Sequence, residues 1–200
     1  MTKLFQKQQK VIERLTDKQI RSQLYFTQAL ILITAIVLSF FLFDNWLSWR
    51  DIWGHPQPNF ILIGNGTALF VILVDTAIVK YAPEKWYDDG GINEKLFQNR
   101  SYIEIFFLTA LIAFCEELLF RGVLQTSFGL ITASIIFALL HVRYLGKVLL
   151  FSLVVFVSFL LGVVYEITES ILPSMLAHFL IDFVFALQIR TKYLSKDLKG

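Results

Sequence analysis

The chain has 200 residues, of which 56% are hydrophobic, 20 are Phe and one is Cys, and its formal net charge is +2. So apolar a composition excludes an ordinary soluble domain, and a single cysteine excludes a disulfide framework. A charge this close to zero offers no footprint for nucleic acid, which leaves the lipid bilayer as the first partner to consider.

Residues 1–23 carry Lys3, Lys7, Lys10, Arg14, Lys18 and Arg21 with Leu4, Val11 and Leu15 between them, either an amphipathic interfacial helix or a loosely structured basic segment. An uncharged run at 22–43 follows, long enough to cross a bilayer core of about 30 Å and to serve as a signal anchor. Trp46, Trp49 and Trp53 stand just beyond it, as an interfacial aromatic belt does. A second apolar block at 60–74 ends at Asp75, read as reaching the interface or pairing locally. Residues 80–100 are polar, with Pro83, Asp88, Asp89 and the pair Gly90-Gly91, and read as a solvated loop and domain boundary.

Beyond that loop come four closely spaced apolar segments near 101–126, 122–140, 148–165 and 170–189, the first two turning into one another around Thr126–Gly129. The expected fold is therefore all-α: a polytopic membrane protein of about six transmembrane helices, since lipid excludes open strands. Its parts are a basic segment at 1–23, two accessory spans and a loop at 24–99, a four-helix core at 100–189 and a tail at 190–200. Sixteen of the eighteen Lys and Arg residues fall in the segments on one side, placing both termini in the cytoplasm of a cell membrane. Cys115, alone in an apolar helix, reads as a packing residue.

The informative residues are polar ones inside the last four segments. Glu116, Glu117, Arg121, His141, His178 and Asp182 are all ionisable, and each such group is expensive in hydrocarbon. Counted from the expected turns at about 1.5 Å per residue, Glu116, His141, His178 and Asp182 fall in one layer, from three different helices. Glu117 with Arg121, and His178 with Asp182, are spaced i,i+4 and share a helix face; Phe137 stands one turn before His141. Glu116 points about 100° away from Glu117, so one glutamate can bind Arg121 while the other faces a site. With neutral histidines the cluster carries −2, which calls for protons or a divalent cation. Two readings stay open: Zn2+ or another divalent metal held by Glu116, His141 and His178, or a metal-free Glu–His pair that activates water.

Three motifs carry a resemblance. Glu116-Glu117-Leu118-Leu119-Phe120-Arg121 looks like EExxxR, Phe137 to His141 looks like FxxxH, and His178 to Asp182 looks like His-x-x-x-Asn/Asp. In this order, each on an expected helix, they resemble the CAAX-protease and bacteriocin-processing (CPBP, or Abi) family of intramembrane proteases, over about residues 100–189. The resemblance implies that Glu116 and His141 activate the attacking water. It implies that His178 and Asp182 bind or polarise the scissile carbonyl, and that Glu117, Arg121 and Phe137 support them. The third motif ends here in Asp182 rather than the Asn of eukaryotic prenyl-protein proteases, and an ionised Asp cannot donate to an oxyanion. The implied function is an endopeptidase acting on a membrane-associated peptide or protein, with a bacterial role in peptide processing or bacteriocin immunity. A non-catalytic immunity or scaffold protein is the alternative, and a proton-coupled transporter a third reading, disfavoured by the lack of polar lining in the first two spans.

Overall fold

A computed structural model describes residues 15–45, 47–54, 58–87, 89–141, 144 and 147–197, with the side chains of 84, 85 and 195–197 also left out of the description. The basic segment before residue 15, Trp46, Asp88, Arg143 and the last three residues lie outside it. The described residues are helical, with no strand among them. In chain order they form α1 (Asp17–Leu42), the short α2 (Leu47–Asp51), α3 (Phe60–Tyr81), the short α4 (Glu84–Tyr87) and α5 (Ile92–Phe97). Then come α6 (Tyr102–Glu117), a π-helical stretch (Leu118–Gln125), α7 (Thr126–Leu140), α8 (Val148–Thr168) and α9 (Ile171–Asp197). Among the described residues five helical runs are long and apolar enough to cross a membrane. Phe40, Phe41, Leu62 and Ile103 on their outer faces are each more than 70% exposed, which only a lipid environment accommodates. The chain is a multi-pass membrane protein.

Local sequence sets the helix starts. Thr16 opens α1 with a capping box: its hydroxyl accepts the Gln19 backbone N–H, and the Gln19 side chain accepts the Thr16 N–H at 2.8 Å. Ser101 opens α6 by accepting the Glu104 N–H at 3.2 Å. At the far end Gly54, with φ +67°, packs so tightly that a Cβ would meet the Glu169 carbonyl oxygen at 2.4 Å. Here Ile171 N donates to the Ile52 carbonyl and Ser170 Oγ to that of Trp53, so the connection after α1 is stapled to the start of α9.

The run Tyr102–Leu140 is two helical limbs broken at Gly129. Gly129 has φ 80° and ψ 167°, a conformation open essentially to glycine alone, and the chain reverses there. The Phe120 and Phe137 rings consequently meet at 4.8 Å, whereas 17 residues of straight helix would hold them about 25 Å apart. The expected turn at Thr126–Gly129 is thus present, but the fourth segment is shorter than 122–140. Residues 122–128 belong to the incoming limb, and the return limb 130–140 is only about 16 Å long, half a bilayer core. Five long runs, one of them doubled back, are what the expected six spans become.

Two other expectations change. The loop at 80–100 is structured: Leu96 and Phe97 of α5 are buried against Ile105 and Ala186, with Ile20 and Leu24 of α1 packed on them. The sixth span does not end at 189, because α9 continues to Asp197. The accessory spans are also packed onto the core. α1 lies against α6 and the π-helical stretch, and α3 against α9, where Ala68 and Val71 meet Ala177 and Ile181.

Candidate active site

The site lies where α6 gives way to the π-helical stretch, and every residue from Leu118 to Gln125 is buried. A π turn widens the backbone by one residue, a distortion that recurs at functional sites, and here it begins directly after Glu117. Tertiary packing on all sides, rather than local propensity, sets this winding.

Glu117 and Arg121 are both completely buried. Arg121 Nε lies 3.5 Å from Glu117 Oε2, the pairing expected from their spacing. The guanidinium also donates to Ser158 Oγ at 3.2 Å and reaches Ser134 Oγ at 3.5 Å, and it sits over the Phe137 ring at 5.5 Å. α7 and α8 are tied at the same place, where Ser134 and Ser158 each donate to the other's carbonyl. A charge in hydrocarbon must be paired and hydrogen-bonded, and Arg121 has a carboxylate, two hydroxyls and an aromatic face.

Glu117 turns its other oxygen to α9, where His178 Nδ1 lies 3.0 Å from Oε1. That bond fixes the imidazole so that Nε2 faces away from Glu117. On that side are Asp182 Oδ2 at 3.7 Å and Glu116 Oε2 at 4.0 Å. Both distances exceed a direct hydrogen bond and suit groups bridged by a small molecule. Glu116 accepts a further bond, at 3.4 Å, from Gln28 Nε2 of α1.

His141 stands at the end of the short return limb. Its Nδ1 is 2.8 Å from the Phe137 carbonyl, which can only accept, so Nδ1 carries a hydrogen, and in the neutral ring the lone pair is on Nε2. The ring stacks on Phe137 at 4.5 Å, and the His178 ring meets the same phenyl edge-on at 6.2 Å. Tyr144 stacks beyond His141 at 6.3 Å, and Asn93 of α5 donates to the Tyr144 hydroxyl.

The six ionisable residues and Phe137 are therefore assembled around one hydrogen bond and two longer approaches of His178 and one shared ring. Glu116, Glu117, Arg121, His178 and Asp182 form a chain of polar contacts, and His141 joins through Phe137. Sequence reasoning passed over Gln28, Ser134 and Ser158. The serines read as ordinary small residues, and Gln28 lies in a span taken to have no part in the site. As for a metal ion, among the described residues no group of three or more His, Cys, Asp or Glu side chains is arranged to hold one. Glu117, the carboxylate closest to His178, is already committed to Arg121. No step is derived through a metal ion.

Residues 98–184 match the model of the Rce1-like family, type II CAAX prenyl endopeptidases, and this stretch contains all three motifs. The chain belongs to this family. The family falls within the CPBP/Abi group of CAAX-type intramembrane proteases, as the motifs implied. Over 171 residues the chain is 50% identical to the uncharacterized protein YpbD of Bacillus subtilis (strain 168), covering 86% of this chain and 90% of that protein. No solved structure matches the chain. The family match begins after α1 and α3, so those two helices are described by this chain's own geometry alone.

Proposed function

We propose that the chain is an intramembrane endopeptidase that hydrolyses a peptide bond of a membrane-associated peptide or protein. The observation that carries this reading is the pairing of two unlike carboxylates on one histidine. Glu117 is spent on Arg121 and His178 Nδ1, whereas Glu116 keeps an oxygen beside His178 Nε2 at a spacing too long for direct bonding. A water held between Glu116 and His178 loses a proton to Glu116, and its oxygen attacks the scissile carbonyl. His178, when it carries a proton on each nitrogen, donates Nε2–H to the developing oxyanion, with Asp182 and Glu117 holding the charged ring. Glu116 then returns its proton to the leaving amine as the carbon–nitrogen bond breaks. His141, with its lone pair on Nε2, takes part as a second acceptor for the water or the incoming peptide. Enclosure by the bundle keeps other water away from these charges and strengthens their effect.

The distribution of basic residues supports a bacterial plasma membrane protein with both termini on the cytoplasmic side, and the site reached from that side. The family's description points to prenylated C-terminal peptides as one substrate class. Processing of a peptide precursor, or immunity to a bacteriocin, is the proposed bacterial role. Metal-independent water activation is part of this proposal.

The test is cleavage by the purified chain in proteoliposomes, on internally quenched membrane peptides that include a farnesylated CAAX peptide, with metal content measured on the same sample. Glu116→Gln should reduce kcat by about 100-fold or more while the protein accumulates normally. Full function in Glu116→Gln would instead favour the immunity or scaffold reading, in which the motifs serve packing.

A further inference from the structure

α1 contributes one polar side chain to the site, and its placement is peculiar. The helix exposes Tyr25, Phe26, Leu30 and Ile33, while Gln28, in the middle of that stretch, is 95% buried and turned toward α6. The amide nitrogen donates to Glu116 Oε1. The amide oxygen is buried with no hydrogen-bond partner among the described residues. A half-satisfied amide in an apolar interior is a net burden on stability, and Leu or Met would fill the same volume without it. The contact it makes is with the glutamate whose other oxygen faces His178 Nε2.

We propose that Gln28 is a positioning residue for Glu116, supplied by a helix outside the family-matched segment. This rests on the reading of Glu116 as the group that activates water. A carboxylate on a flexible side chain can rotate about its terminal bond. Glu117 is fixed by Arg121 on one oxygen and His178 on the other. Glu116 has no cation of its own at bonding distance; the Gln28 N–H holds Oε1 and thereby aims Oε2 at His178 Nε2. The first span is accordingly a working part of the site and not only an anchor. The 88 residues that separate Gln28 from Glu116 explain why no local motif contains it.

The experiment compares wild type, Gln28→Met, Gln28→Glu and Glu116→Gln as whole chains, by thermal unfolding in detergent and by kcat and KM in proteoliposomes. The probe is whichever quenched membrane peptide of the panel wild type cleaves fastest. Gln28→Met should unfold at or above the wild-type temperature while kcat falls about ten- to hundredfold and KM stays within about twofold. Gln28→Glu, which removes the donor and sets a second carboxylate against Glu116, should be slower still. The proposal is overturned if Gln28→Met keeps wild-type kcat, or if its loss follows a lowered unfolding temperature and vanishes when assayed well below it. An inactive Glu116→Gln beside a fully active Gln28→Met sinks the role of Gln28 alone. Cleavage that survives Glu116→Gln sinks the water-activation reading and the Gln28 proposal with it.

Discussion

Glu116 and Glu117 are neighbours in sequence but belong to two differently built regions. On the Glu117 side the charges are matched: Arg121 is met by a carboxylate, two serine hydroxyls and the face of Phe137, all sealed from solvent, although Glu117 Oε2 and Arg121 Nε face each other at 3.5 Å without a hydrogen bond among the described residues. On the Glu116 side the groups stand apart, at 4.0 and 3.7 Å from His178 Nε2, and the Asp182 side chain is 31% exposed. The difference teaches how a bundle can hold this much charge in an apolar setting. One half is internally paired and enclosed, and the other is left incomplete, as the proposed water-activating role requires.

The sharpest way to break the contrast is to remove Arg121. Arg121→Met leaves Glu117 charged and buried without its cation, and should destabilise the fold by about 3–5 kcal/mol. Low membrane accumulation and early unfolding in detergent would report this. The double variant Glu117→Leu with Arg121→Met replaces both charges by apolar volume and should recover most of that stability, because a buried pair is often no more stable than a hydrophobic isostere. It should not recover cleavage, since His178 loses the acceptor at Nδ1. If the double variant cleaved normally, the matched half would be mere packing.

Glu117→Gln is the next largest step. The glutamine oxygen can still accept from His178 Nδ1, but the ion pair with Arg121 is lost, for a destabilisation of about 2 kcal/mol. Activity should fall more than stability, because the imidazole loses the negative charge that supports its protonated form in the reaction. Equal retention of kcat in Glu117→Gln and wild type would show that only the hydrogen bond matters there.

The parts of this arrangement that could be read from sequence are those carried by helical spacing. Glu117 with Arg121 and His178 with Asp182 are i,i+4 pairs, and both are close in space. Phe137 with His141 is likewise four apart, and the rings stack. The long apolar runs announce themselves because hydrocarbon demands uninterrupted helix. What escaped depends on packing between distant segments. The π-helical winding at Leu118–Gln125 leaves no signature in the spacing of its residues, and the return limb is short because the reversal falls at Gly129 itself, late in the run. Gln28 meets Glu116 only once α1 has docked, and the serines that receive Arg121 come from two other helices. The polar loop at 80–100 hid α5, whose Leu96 and Phe97 are too short an apolar pair to announce a packed element.

Asp182 offers the mildest test. It lies on the open side, partly exposed and 3.7 Å from His178 Nε2, so its charge is shared with solvent and its pairing contributes little to folding. Asp182→Asn keeps the size and the acceptor oxygen and adds an N–H able to donate to an oxyanion. Unfolding in detergent should shift by less than about 1 kcal/mol, and kcat/KM should stay within about tenfold of wild type. Abolition of cleavage to the level of Glu116→Gln would make the Asp182 charge as necessary as Glu116 itself. The open side would then contain a cooperating carboxylate pair rather than one base and a substitutable neighbour.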